Sequence, residues 1–180
     1  PNHSVQSNHE LIPTAPLLSI SPSLPTTVNI MQTFTRSVWL EAPLEPIFRY
    51  CTSRHGFARQ FPFHVKWLSE KEYWERGDIL DFKDRVGGIW LRHRAEIMSL
   101  EPNQSFTDLM LKGIYRSFRH KHEFRFSGGR TCVTDTGEFT FGLGKTVDRI
   151  SGLTTLRRTF EKRHRLLKEW AAKWTCLIYT

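Results

Sequence analysis

Residues 118–126 alternate between aromatic or histidine side chains and charged ones. A period of two sorts side chains onto the two faces of a β-strand. One face carries Phe118, His120, His122, Phe124 and Phe126, and the other carries Arg119, Lys121, Glu123 and Arg125. A sheet face that is largely apolar but holds a few polar groups is typical of a ligand cavity. The pattern therefore predicts a half-buried strand whose inner face contributes to such a cavity.

The segment 147–172 has a helical period and predicts one long amphipathic helix. Its apolar side chains recur along a single stripe, made up of Ile150, Leu153, Leu156, Phe160, His164, Leu167 and Ala171. Arg163, beside this stripe, is expected at the surface with its aliphatic stem packed down. At 1.5 Å per residue the helix would be roughly 39 Å long, enough to cross a whole sheet.

Between residues 32 and 141 the pattern alternates at period two and is broken by turn signals such as Gly87-Gly88 and Gly128-Gly129. It predicts strands at 32–40, 63–69, 78–86, 89–100, 105–112, 118–126 and 131–141, with short helices starting near 42 and 56. An antiparallel sheet can bury one face, and the long helix would cover it. The predicted fold class is α+β, with a curved antiparallel sheet of about seven strands wrapped around a long C-terminal helix and two short helices after the first strand.

The chain of 180 residues is long enough for one domain with a proper core. Residues 1–30 contain no Lys or Arg and are interrupted by prolines, so we expect a disordered N-terminal tail there. Met31 opens the patterned region and is expected to be the initiator. The domain should span 31–172 and be followed by a C-terminal tail, 173–180.

The composition and the missing motifs exclude several classes of protein. The three cysteines, Cys51, Cys132 and Cys176, form no CxxC or CxxH pair, which argues against a disulfide framework or structural zinc and favours a reducing compartment. Phosphate-binding loops, GxSxG elbows and dinucleotide fingerprints are missing from the sequence, and no cofactor is expected. The net charge of +8 indicates either an anionic partner or simply a basic surface.

Several short motifs carry a resemblance to a known family. They are Ala42-Pro43 with Ile47-Phe48, Gly77-Asp78, the run 119–124, Gly128-Gly129-Arg130-Thr131 with Thr134-Asp135, and the run 160–166. With the order of elements, they resemble the helix-grip proteins of the START-like (SRPBCC) superfamily over about residues 32–172, and locally its polyketide cyclase/dehydrase-like branch. The resemblance implies a pocket for an apolar small molecule or lipid, but it implies no particular reaction.

The inward faces supply the candidate ligand-binding residues: Leu80, Phe82, Leu91, His93, Phe118, His120, His122, Phe124, Asp135, Phe139, Leu153, Phe160 and His164. Gly137, in the same strand as Asp135, indicates a bulge or a wider cavity.

His120, His122 and Asp135 are also candidate acid–base residues, because imidazole exchanges protons near neutral pH. They could equally be core residues satisfied by hydrogen bonds to each other or to the backbone. No metal site is predicted, since an ion on His120 and His122 would need Asp135 or His164 as its third ligand.

Three functions remain open at this point. The first is binding or transport of a hydrophobic or amphipathic small molecule, such as a lipid, quinone or polyketide-like compound. The second is a cyclase/dehydratase-type enzyme. The third is a basic module that acts on a membrane or on nucleic acid, through Arg92, Arg94, Arg119, Lys121, Arg125, Arg157, Arg158 and Lys162.

Nucleic acid is disfavoured, because the sequence has no RNP-type or zinc-finger motif. A basic exterior around an apolar pocket suits transient contact with an anionic membrane. We expect a cytoplasmic protein, peripheral to the membrane at most, and the sequence leaves its oligomeric state open.

Overall fold

The computed structural model of the protein describes residues 31–179, so the tail predicted at 1–30 lies outside the described residues. Seven strands form one antiparallel sheet in the order β1-β7-β6-β5-β4-β3-β2. They are β1 (Gln32–Leu40), β2 (His64–Trp67), β3 (Ile79–Val86), β4 (Ile89–Glu101), β5 (Ser105–Lys112), β6 (Ser117–Ser127) and β7 (Arg130–Thr140). The helices are α1 (Leu44–Cys51), α2 (Arg54–Gln60), the single turn α3 (Lys145–Val147) and the long α4 (Leu153–Tyr179).

The predicted α+β fold class is confirmed, with both short helices after the first strand. The alternation at 118–126 falls within β6, where Phe118, His120, His122 and Phe124 are buried on the inner face. Phe126 is an exception, because it lies at the strand end and is 52% exposed. The alternating pattern therefore predicted burial correctly for every inner residue except the last.

The sheet curves around α4, and irregularities in β4 contribute to the bend. The pairing of β4 with β5 shifts register between Arg94 and Ala95 and again between Ile97 and Ser99. Such bulges bend the strand that carries them and increase its local twist. The curved sheet leaves a hollow that α4 and the short helix α2 close, since α2 packs against α4.

The long helix differs from the prediction at both ends. It is preceded by a π-helical turn, Asp148–Gly152, in which Ile150 is 65% exposed, so its predicted place on the buried stripe was wrong. At the other end α4 continues to Tyr179, so the predicted end at 172 is too early and residues 173–179 belong to the helix. Thr175 fixes this last part, because its hydroxyl donates to the carbonyl of Glu41 at 2.7 Å.

The start of the helical region is tied to the end of the sheet. The buried carboxylate of Asp148 accepts hydrogen bonds from the Thr140 hydroxyl at 2.6 Å and from the Phe141 amide at 3.2 Å. Gly152 then allows a close approach, since a Cβ there would lie 2.4 Å from the Phe139 ring. These contacts hold the π-helical turn that leads into α4 against the end of β7.

Apolar packing is divided into two clusters along α4. One contains Phe34, Phe118, Phe139, Leu156 and Phe160. The other lies towards the C-terminal half of α4 and includes Ile47, Phe48, Ile97, Phe106, Val133, Leu167 and Ala171. Buried polar side chains lie between the two clusters on each of three elements: His120 and His122 on β6, Asp135 on β7, and Arg163 and His164 on α4. These side chains of β6, β7 and α4 together form a buried polar band.

Gly137 marks neither a bulge nor a wider cavity, and that prediction was wrong. Its pairing with Phe34 and with His120 is regular on both sides. A Cβ at Gly137 would lie 2.2 Å from the Phe34 ring, so the ring fills the space above the glycine.

Within residues 31–179, no helix is both long enough and apolar enough to cross a membrane.

Candidate functional site

A cavity of about 180 Å³ lies between the inner face of the sheet and α4. Its walls are mainly aromatic and aliphatic, and they include Phe57, Phe61, Phe63, Trp74, Leu80, Phe82, Ala95, Phe106, Met110, Ile114, Tyr115, Phe118, Leu156 and Phe160. A second depression of about 600 Å³, between α1 and the end of α4, is a shallow groove open to solvent. The enclosed cavity is the better candidate site, because enclosure removes a ligand from water and the buried polar groups lie beside it.

Asp135 is the centre of the buried polar band. Its side chain has no exposed surface and accepts a short hydrogen bond from the Arg163 guanidinium. His164 Nε2 lies 2.5 Å from the same oxygen, Oδ2. The other oxygen, Oδ1, lies 2.7 Å from His122 Nδ1 and 3.3 Å from His120 Nε2. One carboxylate therefore joins β6, β7 and α4 inside the core.

The charge state of this cluster follows from its partners. Burial opposes ionisation of Asp135, but Arg163 and the two histidines of β6 hold the pKa of that carboxyl well below its usual 3.8. Burial also works against the charge on Arg163, yet the neighbouring Asp135 raises the pKa of the guanidinium. The centre of the band is therefore an ion pair in the folded protein.

Burial disfavours the charged form of the His120 imidazole. Burial, and next the neighbouring His122, lowers the pKa of His120 from 6.5 to about 4, although Asp135 and Asp108 favour its charged form. Its ring is therefore neutral near pH 7. It packs edge-on against Phe160, with the ring centroids 4.8 Å apart.

Asp108 joins the two histidines on the cavity side. Its Oδ2 lies 3.3 Å from His122 Nε2 and 3.7 Å from His120 Nδ1. Phe106, two residues earlier in β5, stacks on the His122 ring at a centroid distance of 3.9 Å. Asp108, His120 and His122 all line the cavity, whereas Asp135 lies behind the histidines.

A second acid–histidine pair lies in the same cavity. His93 Nε2 is 2.8 Å from Asp84 Oδ1, and both side chains are almost fully buried. Neither of these two atoms is aligned for a hydrogen bond within the described part of the chain. The Phe82 ring stacks on His93 at 5.4 Å. The cavity thus has polar groups at two separate places in an otherwise apolar wall.

The structure divides the residues predicted from sequence into two groups. Those that line the cavity are Leu80, Phe82, His93, Phe118, His120, His122 and Phe160. Those that lie outside its wall are Leu91, Phe124, Asp135, Phe139, Leu153 and His164. Phe124 and Phe139 are packed in the two apolar clusters instead. The assignment of ligand contacts stays a prediction for both groups.

Arg163 is the clearest error of the sequence analysis. It was expected at the surface, but only 7% of it is exposed and it pairs with Asp135. A signal was present in the sequence: Arg163 follows Phe160 by three residues and precedes Leu167 by four, which places all three on one helix face. Asp84, Asp108 and Gln60 also line the cavity, although the sequence pattern did not predict them there.

Solved structures of several proteins are similar to this one. The Zhui aromatase/cyclase from Streptomyces sp. R1128 is 15% identical, with a TM-score of 0.65 over 80% of this chain and 95% of that chain. A START superfamily protein from Mycobacterium smegmatis is 12% identical, with a TM-score of 0.61 over 79% and 98%. Major latex-like protein 151 from Panax ginseng is 13% identical, with a TM-score of 0.62 over 78% and 97%.

No family model matches the chain, and no curated protein matches it. At identities this low the likeness concerns the fold alone. It confirms the predicted resemblance at that level, because the chain has the helix-grip fold of START-like proteins.

Proposed function

We propose that this helix-grip protein binds a hydrophobic or amphipathic small molecule in the cavity between the sheet and α4. The observation that carries the proposal is an enclosed cavity with an aromatic wall, beside the buried histidines of β6. Apolar surface facing such a cavity gains about 25 cal/mol per Å² when a ligand removes it from water. Binding is therefore driven by the apolar part of the ligand.

Unpartnered polar atoms in the wall favour a ligand with at least one polar group. Gln60 Nε2, His93 Nε2 and Asp84 Oδ1 are buried, and each lacks a hydrogen-bond partner within residues 31–179. A buried polar group without a partner costs about 1–3 kcal/mol. A hydroxyl or carbonyl on the ligand would remove part of this cost, and it would orient the molecule.

The cavity volume limits the ligand size. Ligand pockets commonly measure about 300–1,000 Å³, and the cavity measures about 180 Å³. A cavity of about 150 Å³ accommodates a benzene molecule. The present volume therefore suits a compound with one ring, such as a quinone head group, or one segment of a longer lipid or polyketide-like chain.

A cavity-filling substitution tests the proposal. Ala95 lines the cavity, and Ala95→Phe would occupy part of it. Met98, on the opposite face of β4, is 44% exposed, so Met98→Phe is the matched control. We expect calorimetric titration with the one-ring phenol p-cresol to show binding by the wild type and Met98→Phe, and much weaker binding by Ala95→Phe. Equal titration curves for the folded proteins would overturn the proposal.

A second candidate is an acid–base enzyme, favoured by the neutral His120 beside Asp108 at the cavity wall. The similar Zhui protein is an aromatase/cyclase. In the dehydration of a β-hydroxy ketone, a histidine would take the α proton and then donate it to the departing hydroxyl, so that a C=C bond forms, the C–O bond breaks and one water leaves. A synthetic β-hydroxy ketone, followed by mass spectrometry for the loss of water, tests this activity. Unchanged turnover in His120→Gln would remove that residue from the reaction.

The outer basic row offers less support for a membrane or nucleic-acid function. Arg92 pairs with Asp81 at 2.6 Å, Lys121 pairs with Glu123 at 2.7 Å, and Arg119 lies 3.6 Å from Glu138. Acidic partners therefore offset part of the positive charge on that face. Transient contact with an anionic membrane belongs to the proposal only as a route by which an apolar ligand reaches the cavity.

A further inference from the structure

Strand register brings three metal-binding side chains together at the cavity wall. Asp108 in β5 pairs directly with His120 in β6, and His122 follows two residues later on the same face. Direct neighbours across an antiparallel pair have Cβ atoms about 4.5–5.5 Å apart. The three donor atoms of these side chains all lie within 4.8 Å of one another.

The separations match the edges of a coordination polyhedron. Zinc bonds to histidine nitrogen and carboxylate oxygen measure about 2.0–2.2 Å, so neighbouring donors in a tetrahedron lie about 3.3–3.5 Å apart. Asp108 Oδ2 lies 3.3 Å from His122 Nε2 and 3.7 Å from His120 Nδ1. The third separation, between the two histidine nitrogens, is within 4.8 Å, so an ion bound to all three donors would draw the two rings closer together.

Asp135 lies behind both rings, where the outer-shell carboxylate of a metal site is commonly found. Metal-binding histidines generally direct their second ring nitrogen at a carboxylate or carbonyl, which fixes the tautomer. Here Asp135 Oδ1 lies 2.7 Å from His122 Nδ1 and 3.3 Å from His120 Nε2. These are the nitrogens that face away from Asp108.

The two ring nitrogens of His122 have different neighbours. Nδ1 lies 2.7 Å from Asp135 Oδ1 and 3.4 Å from a guanidinium nitrogen of Arg163. Nε2 lies 3.3 Å from Asp108 Oδ2, on the cavity side. A metal ion held by Nε2 and Asp108 would replace this one contact, and Nδ1 would keep its neighbours Asp135 and Arg163.

We propose that Asp108, His120 and His122 bind a divalent transition-metal ion of the Zn²⁺ or Fe²⁺ class. Two imidazoles and one carboxylate form a ligand set that such ions use when further positions stay open. The open positions would face the cavity, because all three side chains line it. A polar group of a cavity ligand could then coordinate the ion directly. The site does not depend on the proposed ligand, since the three donors come from the chain itself.

Metal titration of the full chain tests the site. Protein treated with a chelator and dialysed is titrated with Zn²⁺ by calorimetry and with Co²⁺ by visible absorption, without any organic ligand. We expect one tight equivalent and Co²⁺ bands typical of four or five ligands. Asp108→Asn keeps the side-chain shape but removes the anionic donor, and it should weaken binding by more than the roughly 10–100-fold typical of outer-shell changes.

The matched control is His64→Asn, because His64 is an exposed histidine in β2 and should contribute nothing to tight binding. X-ray absorption of the zinc-loaded wild type, which needs no variant, should show two imidazoles and one carboxylate. Absence of tight binding, or binding that Asp108→Asn leaves unchanged in a folded protein, would overturn the inference. Either result would leave the p-cresol titration of the cavity unaffected, so the two proposals fail separately.

Discussion

Replacement of Arg163 by methionine should destabilise the protein strongly. Arg163 is the fixed positive charge that faces Asp135, whose side chain has no exposed surface. His120, with its pKa lowered to about 4, does not supply a replacement charge at neutral pH. Removal of one partner from a buried ion pair costs about 3–5 kcal/mol, because the other charge stays buried without compensation. This cost is a large share of the free energy of unfolding of a typical domain, which is roughly 5–15 kcal/mol.

The assay is urea unfolding at pH 7, followed by tryptophan fluorescence. Arg36→Met is the matched control, because Arg36 also links the sheet to α4, through Glu161 at 3.6 Å, but both side chains are well exposed. We expect the free energy of unfolding of the control to fall by less than about 1 kcal/mol, because exposed ion pairs contribute no more than that.

A double variant separates charge from packing. Asp135→Asn added to Arg163→Met should be no less stable than Arg163→Met alone, because the amide leaves no charge unpaired. Independent effects would instead make the double variant less stable than either single variant. Two results would show that Asp135 does not depend on the charge of Arg163. One is a loss of unfolding free energy in Arg163→Met no larger than that in Arg36→Met, and the other is a loss in the double variant equal to the sum of the two single losses.

Three further predictions concern single side chains. Because the pKa of His120 falls from 6.5 to about 4 on folding, its contribution is complete above pH 6.5 and declines by roughly 3 kcal/mol as the pH drops towards 4. As the pH is lowered, the urea midpoint of metal-free His120→Gln should therefore fall less steeply than that of the metal-free wild type. The same dependence of the midpoint on pH in both proteins would contradict this. Gly137→Ala should cost about 1–3 kcal/mol in urea, because the new Cβ would lie 2.2 Å from the Phe34 ring; a neutral effect would argue against that packing. Burial raises the pKa of Cys51 to about 12, so iodoacetamide should leave it unmodified in the folded protein by mass spectrometry, and rapid labelling would show that the thiol is accessible.

The fold was predictable because its elements have strong and different periods. Alternation at period two identified the inner face of β6, and a period near 3.6 identified the stripe of α4 that includes Leu156, Phe160 and Leu167. His120, His122, Asp135 and His164 were all predicted to lie on inward faces. The structure brings these residues together, but as a packed cluster with Asp135 behind the histidines instead of across an open cavity.

The rest of the site depended on features that periodicity does not encode. Asp108 meets His120 only through the register of β5 on β6, which the pattern of a single strand does not specify. Arg163 was assigned to the surface because arginine is rarely buried, although its position on the helix placed it beside Phe160. A buried charge is favourable only with its partner present, so its position follows from tertiary contacts.

Native mass spectrometry most directly tests whether the cavity binds a ligand. The wild type, Ala95→Phe and Met98→Phe would be purified under gentle conditions and offered the same panel of quinones, fatty acids and aromatic polyketides. We expect the wild type and Met98→Phe to retain a bound molecule and Ala95→Phe, with its cavity partly filled, to lose it. Retention by all three proteins, or binding of no apolar compound by the folded wild type, would show that the cavity is not the ligand site.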